Sequence, residues 1–246
     1  RLDALLTPTH EAVLQQKREL DTMELKDQHD LLCGASGFDF YNTSAFTLAG
    51  VRASGVGNVR VDFEAWLDGF SPNVQEIITR FKFREQLRVL EEADRLMGLM
   101  ERFLSPTINL SPKDVVDAQG KLIHPGLSNL GMGYVFEELL RRFSEENNEE
   151  AGEHFTPREV VRLMASLVVY PVRDRQLATT FTIYDCACGT GGMLTEAETM
   201  LKEIAAAHGQ EASVHLRGQE VNPETWAICQ ADLLIKGEAQ ARVEYG

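Results

Sequence analysis

Apolar residues recur at helical spacing through most of the first half of the chain. His10 to Leu32 is rich in helix formers with loosely periodic apolar positions, and Glu85 to Leu104 sets Leu87, Leu90, Met97, Met100 and Leu104 on one helical face. Ser71-Pro72 and Ser111-Pro112 each read as a cap residue followed by proline in the first helical turn, so each predicts a helix start. Between these helical stretches, Gly34 to Gly57 is rich in Gly, Ser, Thr and aromatic residues and reads as a hairpin or an ordered loop. Gly133 to Asn148 is amphipathic again, with Val135, Phe136, Leu139, Leu140 and Phe143 on one face, and the acidic run Ser144 to Glu150 ends it as a solvated helix end or linker.

Beyond Glu150 the period changes. Thr156-Pro157-Arg158-Glu159 has the form of a capping box, and the helix it would open is expected to bury Val160, Val161, Met164, Leu167 and Val168. Phe181 to Tyr184 then reads as a strand, Met193 to Ala206 as a helix, Val214 to Glu220 as a second strand, and Pro223 to Lys236 as a second helix capped by Asn222 and ended by Gly237. Strand, helix, strand, helix at these lengths predicts a parallel sheet with right-handed crossovers. The fold class expected is α/β: a mainly helical N-terminal domain over 1–130, followed over 131–246 by the start of a Rossmann-like domain.

Composition narrows the class without changing this picture. With 246 residues, 43% of them apolar, the chain can bury a real core, and its longest apolar runs fall well short of a membrane span. No secretory signal pattern is present, so a soluble, cytoplasmic chain is expected. Cys33, Cys186, Cys188 and Cys229 follow neither a disulfide framework nor a zinc-ligand spacing, and they read as buried small apolar side chains with no metal site. Net charge is −14, with 16 Lys and Arg against 25 Asp and Glu in residues 1–150 and 8 against 13 in residues 151–246. Neither half can hold DNA by bulk electrostatics, so any such contact must be local or supplied by another subunit.

The most informative segment is Ile183-Tyr184-Asp185-Cys186-Ala187-Cys188-Gly189-Thr190-Gly191-Gly192, a strand that runs into a glycine-rich turn opening a helix. That is where an α/β sheet binds a nucleoside cofactor. Counting from Gly189, Leu194 stands where a dinucleotide fingerprint needs its third glycine, and no Gly-Lys-Ser/Thr run occurs anywhere. From Gln176 to Leu201 there is no Lys or Arg, while Asp185, Glu196 and Glu198 are present, so little positive charge awaits a di- or triphosphate. S-adenosylmethionine fits better, having a sulfonium cation, a ribose diol, an amino acid tail and no phosphate. A carboxylate at the end of the next strand, Glu220, is placed to accept hydrogen bonds from that ribose.

Three motifs in this order bring a family with them. Gly152-Glu153-His154-Phe155-Thr156-Pro157-Arg158, Asp185-Cys186-Ala187-Cys188-Gly189-Thr190-Gly191-Gly192-Met193-Leu194 and Gly218-Gln219-Glu220-Val221-Asn222 together resemble the modification subunit of type I restriction-modification systems. The resemblance implies an S-adenosylmethionine-dependent methyltransferase acting on adenine N6 in DNA. It implies that Glu153, His154, Phe155, Thr156 and Pro157 close over the cofactor. Asp185, Cys188, Gly189, Thr190 and Gly191 would hold its amino acid tail, and Glu220 its ribose. It further implies a specificity subunit, a restriction subunit and a second modification subunit as partners, with double-stranded DNA met mainly through the specificity subunit.

Two departures from the family pattern stand out. Cys186 replaces the usual loop proline, which is expected to cost rigidity more than chemistry. No Pro-Pro dipeptide exists for the Asn-Pro-Pro-aromatic motif that grips a flipped adenine, and Asn222-Pro223-Glu224 reads as a helix cap. No catalytic residue is therefore assigned, and the chain, which begins at Arg1 and stops at Gly246, is expected to be a cofactor-binding fragment inactive alone. Two other readings stay open from sequence: a methyltransferase acting on a protein amide or small molecule, and a non-catalytic fragment that docks other subunits.

Overall fold

The computed structural model describes residues 1–55, 58–146, 156–173, 180–238 and 241–246. The chain divides into two compact units, Arg1–Met132 and Gly133–Gly246.

The first unit is mainly helical: α1 (Leu2–Leu6), α2 (His10–Thr22), α3 (His29–Ser36), α4 (Leu48–Ala53), α5 (Val59–Asp68), α6 (Pro72–Arg80), α7 (Phe83–Glu92) and α8 (Leu96–Phe103), followed by a small antiparallel hairpin of β1 (Val115–Val116) and β2 (Leu122–His124). The helical stretch expected over His10 to Leu32 is two helices, and so is the one over Glu85 to Leu104. Both breaks have the same cause. Glu24 and Asp94 take positive φ, near 53°, and the amides that follow, Leu25 and Arg95, donate back to the carbonyls of Leu20 and Leu90. This is a Schellman-type stop built without the glycine that would have marked it in sequence.

The Gly34 to Gly57 segment is only partly a loop. It contains α4, capped by Thr47, whose hydroxyl accepts from the Gly50 amide at 3.2 Å. Ser111-Pro112 does not start a helix. Its hydroxyl instead pairs with both the amide and the carbonyl of Lys113, and β-branched Val115 and Val116 continue into β1. Asp117 closes the hairpin by accepting from the amides of Gln119 and Lys121.

Among the described residues, two apolar groups illustrate how this unit is packed. Val13 and Leu20 of α2 pack on Leu32 of α3, with Ala35 and Tyr41 against them. Trp66 makes edge contacts with Phe63 at 5.2 Å and Phe70 at 4.9 Å. Beside Trp66 lies buried Asn42, whose amide donates to the Trp66 carbonyl at 2.9 Å and whose side-chain oxygen accepts from the Ser44 amide at 2.8 Å.

The second unit is α/β. The unit boundary falls within α9 (Asn129–Glu146), which is followed by α10 (Arg158–Val169), β3 (Thr180–Asp185), α11 (Gly192–Ala207), β4 (Ser213–Glu220), α12 (Pro223–Lys236) and β5 (Arg242–Tyr245). The strands form a parallel sheet in the order β3-β4-β5, with Asp185 beside Gly218 and Glu220 beside Tyr245. Strand, helix and cap positions expected from Phe181 to Gly237 agree with the structure to within a residue at each end; Asn222 accepts from the amides of Glu224 and Thr225, and Gly237 ends α12 in the left-handed region.

The helix after Thr156 differs from expectation in two ways. It starts at Arg158, so Pro157 occupies the cap position and no side-chain capping bond forms; the Pro157 carbonyl accepts from Val160 and Val161 instead. Its buried face is Val161, Ala165 and Val169, four residues apart, of which Ala165 and Val169 pack with Ala197 and Leu201 of α11 and with Phe181, Ile183 and Val214 of the sheet. Small Ala165 lets α10 and α11 approach closely at the centre of the contact. Val160, Met164, Leu167 and Val168, expected inside, are exposed.

Replacing Asn42 with Ala leaves the Trp66 carbonyl and the Ser44 amide without their partner. It is expected to destabilise the first unit by about 1–3 kcal/mol, read from urea denaturation followed by tryptophan fluorescence. An unchanged midpoint would show that water replaces the lost bonds.

Candidate cofactor-binding site

The site sits at the carboxyl end of the parallel sheet, where the chain leaves β3 for α11 and β4 for α12. Because β3 and β4 are in parallel register, both exits lie side by side although 27 residues separate Gly192 from Glu220.

The loop after β3 is pinned by its own backbone and by β4. Asp185 accepts from the Ala187 amide at 3.0 Å, which turns the chain sharply out of the strand. The Cys188 amide donates to the Gln219 carbonyl at 3.0 Å and the Gly191 amide to the Cys188 carbonyl at 2.8 Å. Gly189 and Gly191 take positive φ, 56° and 82°, so the backbone can double back between strand and helix. A Cβ built on Gly189 would meet nothing within 4 Å, so the space on that side of the loop is open. A Cβ on Gly191 would lie 2.7 Å from the Cys229 sulfur, and one on Gly218 would lie 2.9 Å from the Cys188 sulfur. The loop is thus tightly backed and open in front.

Glu220 joins the two halves of the site. One carboxylate oxygen accepts from the Gly189 amide at 3.0 Å and the other from the Asn222 amide at 2.7 Å. Each oxygen keeps a lone pair for a further donor. The carboxylate is therefore held rigid at the mouth of the glycine loop, with capacity left for a diol.

Behind the loop stands α12. Cys188 and Cys229 are buried, and the thiol of Cys229 hydrogen-bonds to the Cys188 sulfur; that bond lowers the Cys188 pKa and, together with burial, pushes the Cys229 thiol up. Both are packing groups in the neutral interior of the site, in line with the apolar role expected for them, whereas Cys186 is exposed. Three residues further along α12, buried Asp232 pairs with Lys236, whose ammonium reaches the Thr195 hydroxyl at 3.5 Å. Burial raises the Asp232 pKa, and Lys236 opposes that shift. Thr195 in turn donates to the carbonyls of Gly191 at 3.4 Å and Gly192 at 3.2 Å.

The structure thus brings Asp185, Cys188, Gly189, Thr190, Gly191 and Glu220 together. Thr156 and Pro157 are exposed at the start of α10. Glu153, His154 and Phe155 lie outside the described residues. Sequence reasoning missed Cys229, Asp232, Lys236 and Thr195. Cys229 was visible only as one of four cysteines, and the spacing from Cys229 through Asp232 to Lys236 along one helix was the sole hint that they share a face. Among the described residues, no group of His, Cys, Asp and Glu is arranged to hold a metal, and no helix is long and apolar enough to cross a membrane.

The chain is similar to several known proteins. The type I restriction enzyme HindI methylase subunit of Haemophilus influenzae is 30% identical over 149 residues, 58% of this chain and 29% of that subunit. The type I restriction enzyme MpnII methylase subunit of Mycoplasma pneumoniae is 27% identical over 105 residues, 42% of this chain and 17% of that subunit. The chain therefore spans less than a third of the length of either curated relative. A solved type I restriction-modification system methyltransferase subunit from Streptococcus thermophilus shares the fold, with a TM-score of 0.59 at 14% identity over 100% of this chain and 52% of that one. The family model described as N-6 DNA Methylase matches residues 128–245, the α/β portion that carries the glycine loop and Glu220. That stretch is similar to N-6 DNA methylases, and parts of the chain are similar to the methylase subunits of type I restriction enzymes.

Proposed function

We propose that the chain is the S-adenosylmethionine-binding part of a type I modification subunit that methylates adenine N6 in DNA. The observation that carries this reading is the Gly189 amide on the Glu220 carboxylate, which joins the glycine loop to an acidic strand end with acceptor capacity to spare. The donor set fits the cofactor: carboxylates for a ribose diol and an ammonium group, helix-terminal amides for a carboxylate, and few cations. When bound, S-adenosylmethionine supplies an electrophilic methyl group on its sulfonium.

In this reading Glu220 accepts from the ribose hydroxyls. Asp185, Cys188, Gly189, Thr190 and Gly191 cradle the amino acid tail, and Asp185, fixed by the Ala187 amide, keeps one oxygen for the tail's ammonium. Glu153, His154, Phe155, Thr156 and Pro157 close over the methionine and adenosine parts. The partners are a specificity subunit, a restriction subunit and a second modification subunit, with double-stranded DNA met mainly through the specificity subunit. The location is the cytoplasm. The net charge of −14 supports delegating DNA contact to other subunits.

Calorimetric titration of the 246-residue chain with S-adenosylmethionine is expected to give saturable binding, and Glu220→Ala is expected to weaken it at least about tenfold through loss of charge-assisted hydrogen bonds. An unchanged affinity would remove Glu220 from the site. Gly191→Ala introduces both a strained φ and a clash with the Cys229 sulfur. It is expected to weaken binding and lower the melting temperature, and Cys229→Ala in the same chain should relieve only the clash. Full restoration by the second substitution would mean that the positive φ at Gly191 costs nothing.

A further inference from the structure

The geometry points to Tyr134, Glu137 and Arg158 as a clamp that positions the Thr156–Pro157 arm relative to the glycine loop, an inference that rests on the cofactor reading above. Arg158 is the first residue of α10 and directly follows that arm. Its guanidinium stacks over the Tyr134 ring, 4.3 Å from the centroid, and forms an ion pair with Glu137; both partners lie on α9. A ring face on one side and a carboxylate bonded to one terminal nitrogen restrain a guanidinium in two directions at once. The Pro157 carbonyl is bound into the same first turn by the Val160 and Val161 amides, at 2.9 and 3.1 Å. Fixing Arg158 therefore fixes where the arm begins.

The other end of the connection is equally defined. Gly133 of α9 lies against α12, where a Cβ would fall 2.6 Å from the Lys236 side chain and 3.5 Å from the Asp232 carboxylate. Lys236 reaches Thr195, which holds the carbonyls of Gly191 and Gly192. One turn further along α10, Arg162 pairs with Glu196 of α11 at 3.1 Å. A closed circuit thus runs from the glycine loop through α12 and α9 to Arg158, and back through Arg162 to the first turns of α11. The side chains of Arg158 and Glu137 are 43% and 31% exposed, a setting in which an ion pair adds little stability, so the consequence of the clamp is geometric.

The test measures S-adenosylmethionine affinity by calorimetry, and melting temperature alongside, for the wild-type 246-residue chain, Glu137→Arg, Arg158→Glu and the double reversal. Each single reversal is expected to weaken binding about fivefold with little change in melting temperature, and the double reversal to recover most of the loss. Arg158→Lys, which keeps the charge but loses the planar guanidinium over the Tyr134 ring, should fall between wild type and Arg158→Glu. Unchanged affinity in the single variants would overturn the clamp. So would a double reversal as weak as Arg158→Glu alone, because Arg158 would then act without Glu137. A wild-type chain that binds no S-adenosylmethionine would sink the cofactor reading itself, and the clamp with it.

Discussion

The Glu220 carboxylate is the constraint on which the site depends. Its two oxygens hold the Gly189 and Asn222 amides, one in the loop after β3 and one at the cap of α12. Two chain segments that leave the sheet independently are thereby locked to each other by charge-assisted bonds. The parallel register of β3 and β4 makes this possible, because it sets both strand ends at the same height. A slip of one residue would turn Glu220 to the opposite face and leave the loop amide without its partner.

Everything behind the loop serves the same close approach. Gly191 meets Cys229, Gly218 meets Cys188, and the two thiols meet each other, so the loop rests on sulfur atoms where a larger side chain would push it outward. Polar support comes from Asp232, Lys236 and Thr195, a chain of contacts ending on the carbonyls of Gly191 and Gly192. An interior of this kind transmits displacement efficiently, since close-packed atoms leave no slack. The open side of Gly189 is the exception, with nothing packed against it.

The misread elements have physical explanations of two kinds. Helix breaks at Glu24 and Asp94 put non-glycine residues at positive φ, closed by the Leu25 and Arg95 amides on the Leu20 and Leu90 carbonyls. In α10, apolar residues cover nearly the whole circumference, so periodicity could not say which row faces inward; the row Val161, Ala165 and Val169 is the buried one, with Ala165 and Val169 against Ala197 and Leu201. Ser111-Pro112 carries a helix-start signature, but the β-branched pair that follows, and the Asp117 turn, make a hairpin instead. Only in α10 does a contact with residues distant in sequence decide the outcome; at the helix breaks and the hairpin one local pattern overrides another.

The sequence by itself determined the α/β order of the second half, the strand and helix limits from Phe181 to Gly237, the glycine loop and the acidic residue paired with it. Those features are legible because each is written in local chemistry: periodicity, caps, and residues without a side chain where the backbone must turn. Tertiary structure alone decided what stands behind the loop and beside the arm. Cys229, Lys236, Tyr134 and Glu137 carry no motif, and they reach Gly191, Thr195 and Arg158 only because α9 and α12 pack where they do. Packing of that kind depends on the shape of whole surfaces, which no short run of residues records.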